Sequence, residues 1–279
     1  MNLENGAKLL CEYFSSDKPF LIGRNGSTEL EVLTKSTSLL FAKALERYSG
    51  IFPFTHVEAW KLDYIDALAN TDVMAEGWCQ ELAENEKELL DSININRKSI
   101  LLRNLEPYYI NPSFRWTQHL AKKRVAIVSS FAQTSEEQTY MAKAIWGNEA
   151  KTLLPPSTVW IPIQTYYCPA VANGKAQWPS HITNYREAIQ DVVERTLEQK
   201  ADIAIIGCGG LGMIIGSELK KAGVQCIVLG GAIQILFGIR GKRWENHELI
   251  GKFFNDAWIY PPPSCIPGFS GKIEGGCYW

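Results

Sequence analysis

The stretch ADIAIIGCGGLGMIIGSELKKAGVQCIVLGG, residues 201–231, limits the fold more than any other part of the chain. An apolar run (Ile203–Gly207) ends in a glycine turn. A helix-patterned segment follows, and a second β-branched run leads into Gly230 and Gly231. The rhythm is strand, helix, strand, and it extends upstream. RVAIVSS (Arg124–Ser130) reads as a buried strand. TSEEQTYMAKAIW reads as a helix whose capping box would run from Thr134 or Ser135 to Glu137 or Gln138. TVWIPIQ (Thr158–Gln164) is β-branched and aromatic, with Pro162 placing it at a sheet edge or a bulge. From His181 to Lys200, Ile182, Tyr185, Ile189, Val192, Val193 and Leu197 form one helical stripe. This alternation predicts an α/β fold with a mostly parallel sheet and helices on both faces. Ligands of such sheets sit beyond the carboxyl ends of the strands, so the informative loops are those after Arg24, Ser130, Gly207 and Gly230.

The first half reads differently. PFLIGR is a short early strand, followed by a helix pattern through Leu30, Leu33, Leu40, Ala44 and Leu45. From Glu58 to Asp91 acidic residues alternate with Trp60, Leu62, Ile65, Leu68, Trp78 and Leu82, which reads as helices with a solvated acidic face. With 46% hydrophobic residues a sizeable core is available, and the 279 residues are expected to form a single domain with a helical insertion at about 47–111. The apolar helix faces of this half would serve a core or a dimer equally.

Composition excludes several function classes. A net charge of −2 gives no global attraction to nucleic acid or to an anionic membrane. The 7 cysteines and 4 histidines show no zinc-ligand spacing, and the cysteines read as small core residues in a reducing compartment. Cys168, before Pro169, has no evident catalytic partner. MNLENGAKLL lacks the basic and apolar regions of a signal peptide, and the apolar stretch Val224–Ile239 is shorter than the roughly 20 residues of a spanning helix. A cytoplasmic location is expected.

Chemistry is expected at three loops. IIGCGGLG has the form G-x-G-x-x-G between a strand and a helix, so the backbone around Gly207, Gly209, Gly210 and Gly212 can approach a phosphate at the helix N-terminus. A dinucleotide would also require an acidic residue closing the next strand, and that strand ends CIVLGGAIQ. A nucleotide or nucleotide-sugar, or glycines that serve packing alone, fit better. In LGGAIQILFGIRGKRW, Gly230 and Gly231 close a strand, and Arg240, Lys242 and Arg243 crowd beside Trp244, a combination suited either to an anion with a covered base or to a solvated basic turn. In GRNGSTELE, Thr28 and Glu31 fit a capping box, with Ser27 the other candidate cap. Arg24 and Glu29 are left free to face one crevice.

The residues Asp202–Trp244, with GRNGSTE and the terminal IEGGCYW, resemble the GT-D-type glycosyltransferases (DUF1792-like) of bacterial and viral polysaccharide biosynthesis. The resemblance implies a single Rossmann-like domain and transfer of a sugar from a nucleotide donor to a glycan or glycoconjugate acceptor. The expected donor contacts are Gly26, Ser27, Gly207, Gly209, Gly210, Gly230, Gly231, Gln234, Arg240, Lys242, Arg243 and Trp244. The family loop reads R-x-G-D-G-E and holds a divalent metal, Mn or Mg, through a D-x-E pair. Here Arg24, Gly26 and Glu29 match, whereas Ser27 replaces the aspartate and Thr28 the second glycine. That leaves Glu29 as the one metal carboxylate, a poor site unless substrate phosphates supply most ligands. Arg24 and Glu29 are the expected catalytic pair, with Glu29 as base and Asp256 and Glu274 as weaker candidates. The aromatic end at Tyr278 and Trp279 predicts that the terminal segment packs back, bringing Glu274 towards the crevice. The alternatives are a non-catalytic nucleotide-sugar-binding relative and an NAD-dependent oxidoreductase.

Overall fold

In the computed structural model, which describes residues 1–35 and 38–279, seven strands form one sheet in the order β3-β2-β1-β7-β6-β4-β5. The strands are β1 (Leu21–Arg24), β2 (Val73–Ala75), β3 (Lys98–Ile100), β4 (Arg124–Ser129), β5 (Val159–Gln164), β6 (Ile203–Gly207) and β7 (Gln225–Val228). Every neighbouring pair is parallel. The central strands β7, β6 and β4 are near-continuous apolar runs buried along most of their length, as a parallel sheet covered on both faces requires. β5 alternates in burial and lies at the edge, where Pro162 costs no ladder bond on its outer side.

The helices follow local chemistry. Asn184 caps Tyr185–Glu198, its side chain accepting from the amides of Arg186 and Glu187. The helix Gly212–Lys221 packs across β1, β6 and β7 because Gly216 has no side chain: a Cβ there would stand 2.6 Å from Leu21 Cδ1. Ser38 caps Leu39–Ser49, which ends at Gly50 in the left-handed region (φ 80). The helix pattern from Leu30 to Leu45 is therefore two helices, Ser27–Thr34 and Leu39–Ser49; residues 36 and 37 between them lie outside the described residues.

Four expectations need correction. The stretch 47–111 is not only helical, since β2 and β3 lie within it and extend the sheet beyond β1. Thr134 and Ser135 do not cap a helix: Ala132–Thr139 begins earlier, and both side chains are buried inside it. Thr28 and Glu31 form no capping box. The N-cap is Gly26, without a side-chain hydrogen bond, and Glu31 pairs with Lys35 at 3.3 Å. The acidic segment is also less solvated than expected, because Glu86 is fully buried and Glu76 accepts two bonds from Arg97. No helix among the described residues is long and apolar enough to cross a membrane.

Candidate functional site

Parallel register brings the strand ends into one row. Arg24 is paired with Ala75, which is paired with Ile100; Gly207 is paired with Ser129, which is paired with Gln164. Chain connections leave this row in opposite directions at one place. The chain runs from β4 outward to β5 but from β6 back towards β7, so a crevice opens between β4 and β6. A second loop cluster, the β1 crevice, lies where β1 runs into Asn25 beside the β7 end, which runs into the Gly230 loop.

The β1 crevice is built on Asn25. Fully buried, it donates through Nδ2 to Glu86 Oε1 at 2.8 Å and accepts at Oδ1 from the Tyr64 hydroxyl at 3.1 Å. Its carbonyl accepts from both Arg24 Nε and Trp78 Nε1, each at 3.0 Å. The Arg24 guanidinium lies over the Trp78 ring, 4.2 Å from its centroid. These contacts fix the stem of Arg24 and leave Nη1 and Nη2 without hydrogen-bond partners among the described residues. A Cβ at Gly230 would stand 3.3 Å from Nη1, so the free end of the fork faces the β7 loop. Burial lowers the Arg24 pKa from its ordinary value, and the charge of Glu29 is the strongest influence opposing that. An arginine stays protonated regardless. Glu86 closes the far side by also accepting from the Gly77 amide at 2.8 Å; its carboxyl is raised by burial, and these two bonds hold it down in part.

Glu29 stands at the third position of its helix, where a capping-box carboxylate would reach back to the N-cap. It does curl back over Gly26, since a Cβ at Gly26 would lie 1.8 Å from Oε2. Its other oxygen faces Gly210, where a Cβ would stand 3.3 Å away. The carboxylate is 5% exposed and has no hydrogen-bond partner among the described residues. The positive helix end supports its charge.

The glycine loop packs closely against the protein on one side, while Gly207 and Gly209 line a cavity between β4 and β6 on the other. A Cβ at Gly207 would meet Ile233 Cγ2 at 2.5 Å and the Gly230 carbonyl at 2.8 Å; one at Gly209 would meet the Ser49 carbonyl at 3.0 Å. Trp60 Nε1 donates to the Gly210 carbonyl at 3.0 Å. Close packing of strand, helix and the Ser49 turn therefore accounts for much of the G-x-G-x-x-G pattern. Gly231 is covered by Tyr278, whose Cε1 would lie 2.5 Å from a Cβ there.

The basic cluster does not converge. Arg240 Nη2 donates to the Asn255 carbonyl at 2.7 Å, and its guanidinium lies 5.0 Å from the Phe254 ring centroid, away from the crevice. Lys242 is exposed. Arg243 pairs with Glu274 and lies 4.6 Å from the Tyr278 ring centroid, so Glu274 is engaged and does not stand free in the crevice. Trp244 is buried 6.3 Å from Tyr278, centroid to centroid. Gln234 donates to the carbonyls of Arg240 (2.8 Å) and Tyr278 (3.3 Å), tying this turn to the terminal segment. That segment does pack back: Trp279 is 8% exposed and donates to the Cys265 carbonyl at 3.3 Å. Ser27 opens the Glu29 helix, whereas Asp256 is exposed on the loop that Arg240 clasps.

Glu106 is a further carboxylate that senses Arg24. Burial pushes it up to about 7, held back by the Tyr108 hydroxyl and by the positive charges of Arg24 and Arg103. Together with Asn25, Tyr64, Trp78 and Glu86, it forms the part of the site that the sequence did not reveal. No group of three or more His, Cys, Asp or Glu side chains among the described residues could hold a metal ion. Burial pushes the Cys168 thiol up to about 11, so it is a neutral wall residue.

No protein-family model matches the chain, and no curated protein matches it. Two solved structures resemble it. One is a selenomethionine-substituted domain of unknown function 1792, with 13% identity, 83% of this chain and 82% of that chain covered, and a TM-score of 0.48. The other is a domain of unknown function 1792 described as having a distinct glycosyltransferase fold, with 14% identity, 82% and 80% covered, and a TM-score of 0.47.

Proposed function

We propose that the chain transfers a sugar from a nucleoside-diphosphate-sugar donor to a glycan or glycoconjugate acceptor, with the donor diphosphate at Arg24. The observation that carries this reading is the Arg24–Glu29 pair at the carboxyl end of a central strand: among the described residues, the clamped guanidinium keeps its outer donors free and the carboxylate of the buried Glu29 has no hydrogen-bond partner. In transfer, the bond from the anomeric carbon to the diphosphate breaks and the diphosphate leaves with the electron pair. Arg24 stabilises that developing charge. The acceptor oxygen forms the new bond while Glu29 takes its proton. Glu106 is the second candidate for the proton, since its raised value suits a base near neutral pH. A protein-held metal does not fit, because Glu29 is a single carboxylate and Glu86 is already bonded to Asn25 and Gly77. No step is assigned to a metal.

An NAD-dependent oxidoreductase is disfavoured by the end of β7, which runs Val228, Leu229, Gly230 with no acid for a ribose. Support for the non-catalytic relative is the replacement of the expected aspartate by Ser27. A thermal-shift panel of UDP, GDP, CMP, TDP and NAD, with and without manganese, separates the readings. A rise of a few degrees with one nucleoside diphosphate is expected. A rise with NAD alone would overturn the transferase. Donor turnover that survives intact in folded Glu29→Gln would remove Glu29 from its role.

A further inference from the structure

The crevice between β4 and β6 holds a cavity of about 160 Å³. Its walls are Phe131, Val171, Trp178, Ile182, Leu211 and Trp279. An apolar cavity of about 150 Å³ accepts a benzene-sized guest, so this volume suits one six-membered ring.

Three polar side chains of the lining already have partners. Ser130 Oγ accepts from the Tyr167 hydroxyl at 2.9 Å, and Ser129 Oγ accepts from the Phe131 amide at 3.1 Å. Asp191 is bonded to Arg195 at 2.5 Å and 3.0 Å. Against the apolar walls a ligand polar group finds no partner, at a cost of about 1–3 kcal/mol for each one left unpaired. The Cys168 and Cys208 thiols in the lining stay neutral, since burial pushes them up to about 11 and about 12. The mouth differs. Arg47, Tyr48 and Tyr166 line it, are exposed, and have no side-chain hydrogen-bond partner among the described residues.

We propose that this cavity is a binding site for a small molecule made of one apolar ring and one anionic group, the ring enclosed by Phe131, Trp178 and Trp279 and the anion held at the mouth by Arg47. Tyr278 and Gly231 line the cavity and also adjoin Gly230, which Arg24 faces. The bound molecule therefore lies next to the proposed donor site. The adjacency to a donor rests on the transferase reading; the binding does not.

The test is calorimetric titration of the full chain with benzyl phosphate, benzyl alcohol and inorganic phosphate. Benzyl phosphate is expected to bind at least about tenfold more tightly than either of the others. Arg47→Ala, at an exposed position, should reduce benzyl phosphate to the level of benzyl alcohol. Ala188→Leu, which fills the cavity, should weaken both ring compounds and leave nucleoside-diphosphate affinity unchanged. Inorganic phosphate binding as tightly as benzyl phosphate would overturn the proposal, as would an unchanged affinity in Arg47→Ala. Benzyl phosphate binding without any nucleoside-diphosphate binding would remove the neighbouring donor and leave the site. Nucleotide binding without benzyl phosphate binding would overturn the proposal and leave the transferase reading.

Discussion

Arg24 and Trp78 share an acceptor. Both donate at 3.0 Å to the carbonyl of Asn25, and the guanidinium lies 4.2 Å from the centre of the indole. Trp78, in the loop after the neighbouring strand β2, thus holds the Arg24 cation in a fixed pose before any ligand arrives. Preorganisation of this kind spares the binding step the entropy of ordering a long side chain. Trp78→Ala is expected to weaken nucleoside-diphosphate binding by about three- to tenfold, the worth of a partly buried cation–π contact, while the protein stays folded. Calorimetry reads the change, and unaltered affinity would show that the stack does not position Arg24.

Asn25 is more demanding. Asn25→Leu preserves volume but removes the donor to Glu86 and the acceptor of Tyr64, stranding two buried polar groups. The expected loss is about 2–5 kcal/mol of unfolding free energy, read from urea denaturation. A loss below about 1 kcal/mol would mean that water replaces both bonds.

The glycine loop makes a separate prediction about packing. Gly207→Val places its Cβ within 2.5 Å of Ile233 Cγ2 and 2.8 Å of a backbone carbonyl that cannot move aside cheaply. It should cost about 1–3 kcal/mol and lower the melting temperature. Gly271→Ala, where nothing lies within 4 Å, should leave it unchanged. Equal behaviour of the two variants would contradict the close strand–loop contact.

Glu106 makes the site sensitive to pH. Its carboxyl is raised from 4.5 to about 7 in the folded chain, so between those values the folded state holds a proton that the unfolded chain releases. By linkage, its contribution to stability is present below about 4.5 and is lost as pH rises towards 7. Above that value Glu106 is an anion near Arg24 and competes with a diphosphate for the same charge. Diphosphate affinity should therefore fall as pH rises through 7, and Glu106→Gln should flatten the profile. A profile unchanged in Glu106→Gln would assign the dependence to another group.

The second half of the fold was legible because its strands are long enough to show their character. RVAIVSS, TVWIPIQ and DIAIIG each carry a run that cannot be buried in any other way. β2 and β3 were not legible: Val73–Ala75 and Lys98–Ile100 are three residues each, too short for a period, and only pairing with β1 makes them strands. The Arg24–Glu29 pair could be read from spacing, because a strand end and a helix start lie five residues apart. The Asn25 network could not, since Tyr64 and Glu86 meet it from 39 and 61 residues away. The basic cluster misled for a related reason. Arg240 and Arg243 flank the extended Gly241, so neighbours in sequence are sent to Asn255 and to Glu274.

The most direct test is titration of the nucleoside diphosphate that raises the melting temperature most into the wild-type chain and into Arg24→Ala. Loss of one clamped, charge-assisted contact should weaken binding at least about tenfold, with no change in the folded circular dichroism spectrum. Equal affinity in the two proteins would place the diphosphate elsewhere and contradict the assignment of Arg24 as its anchor.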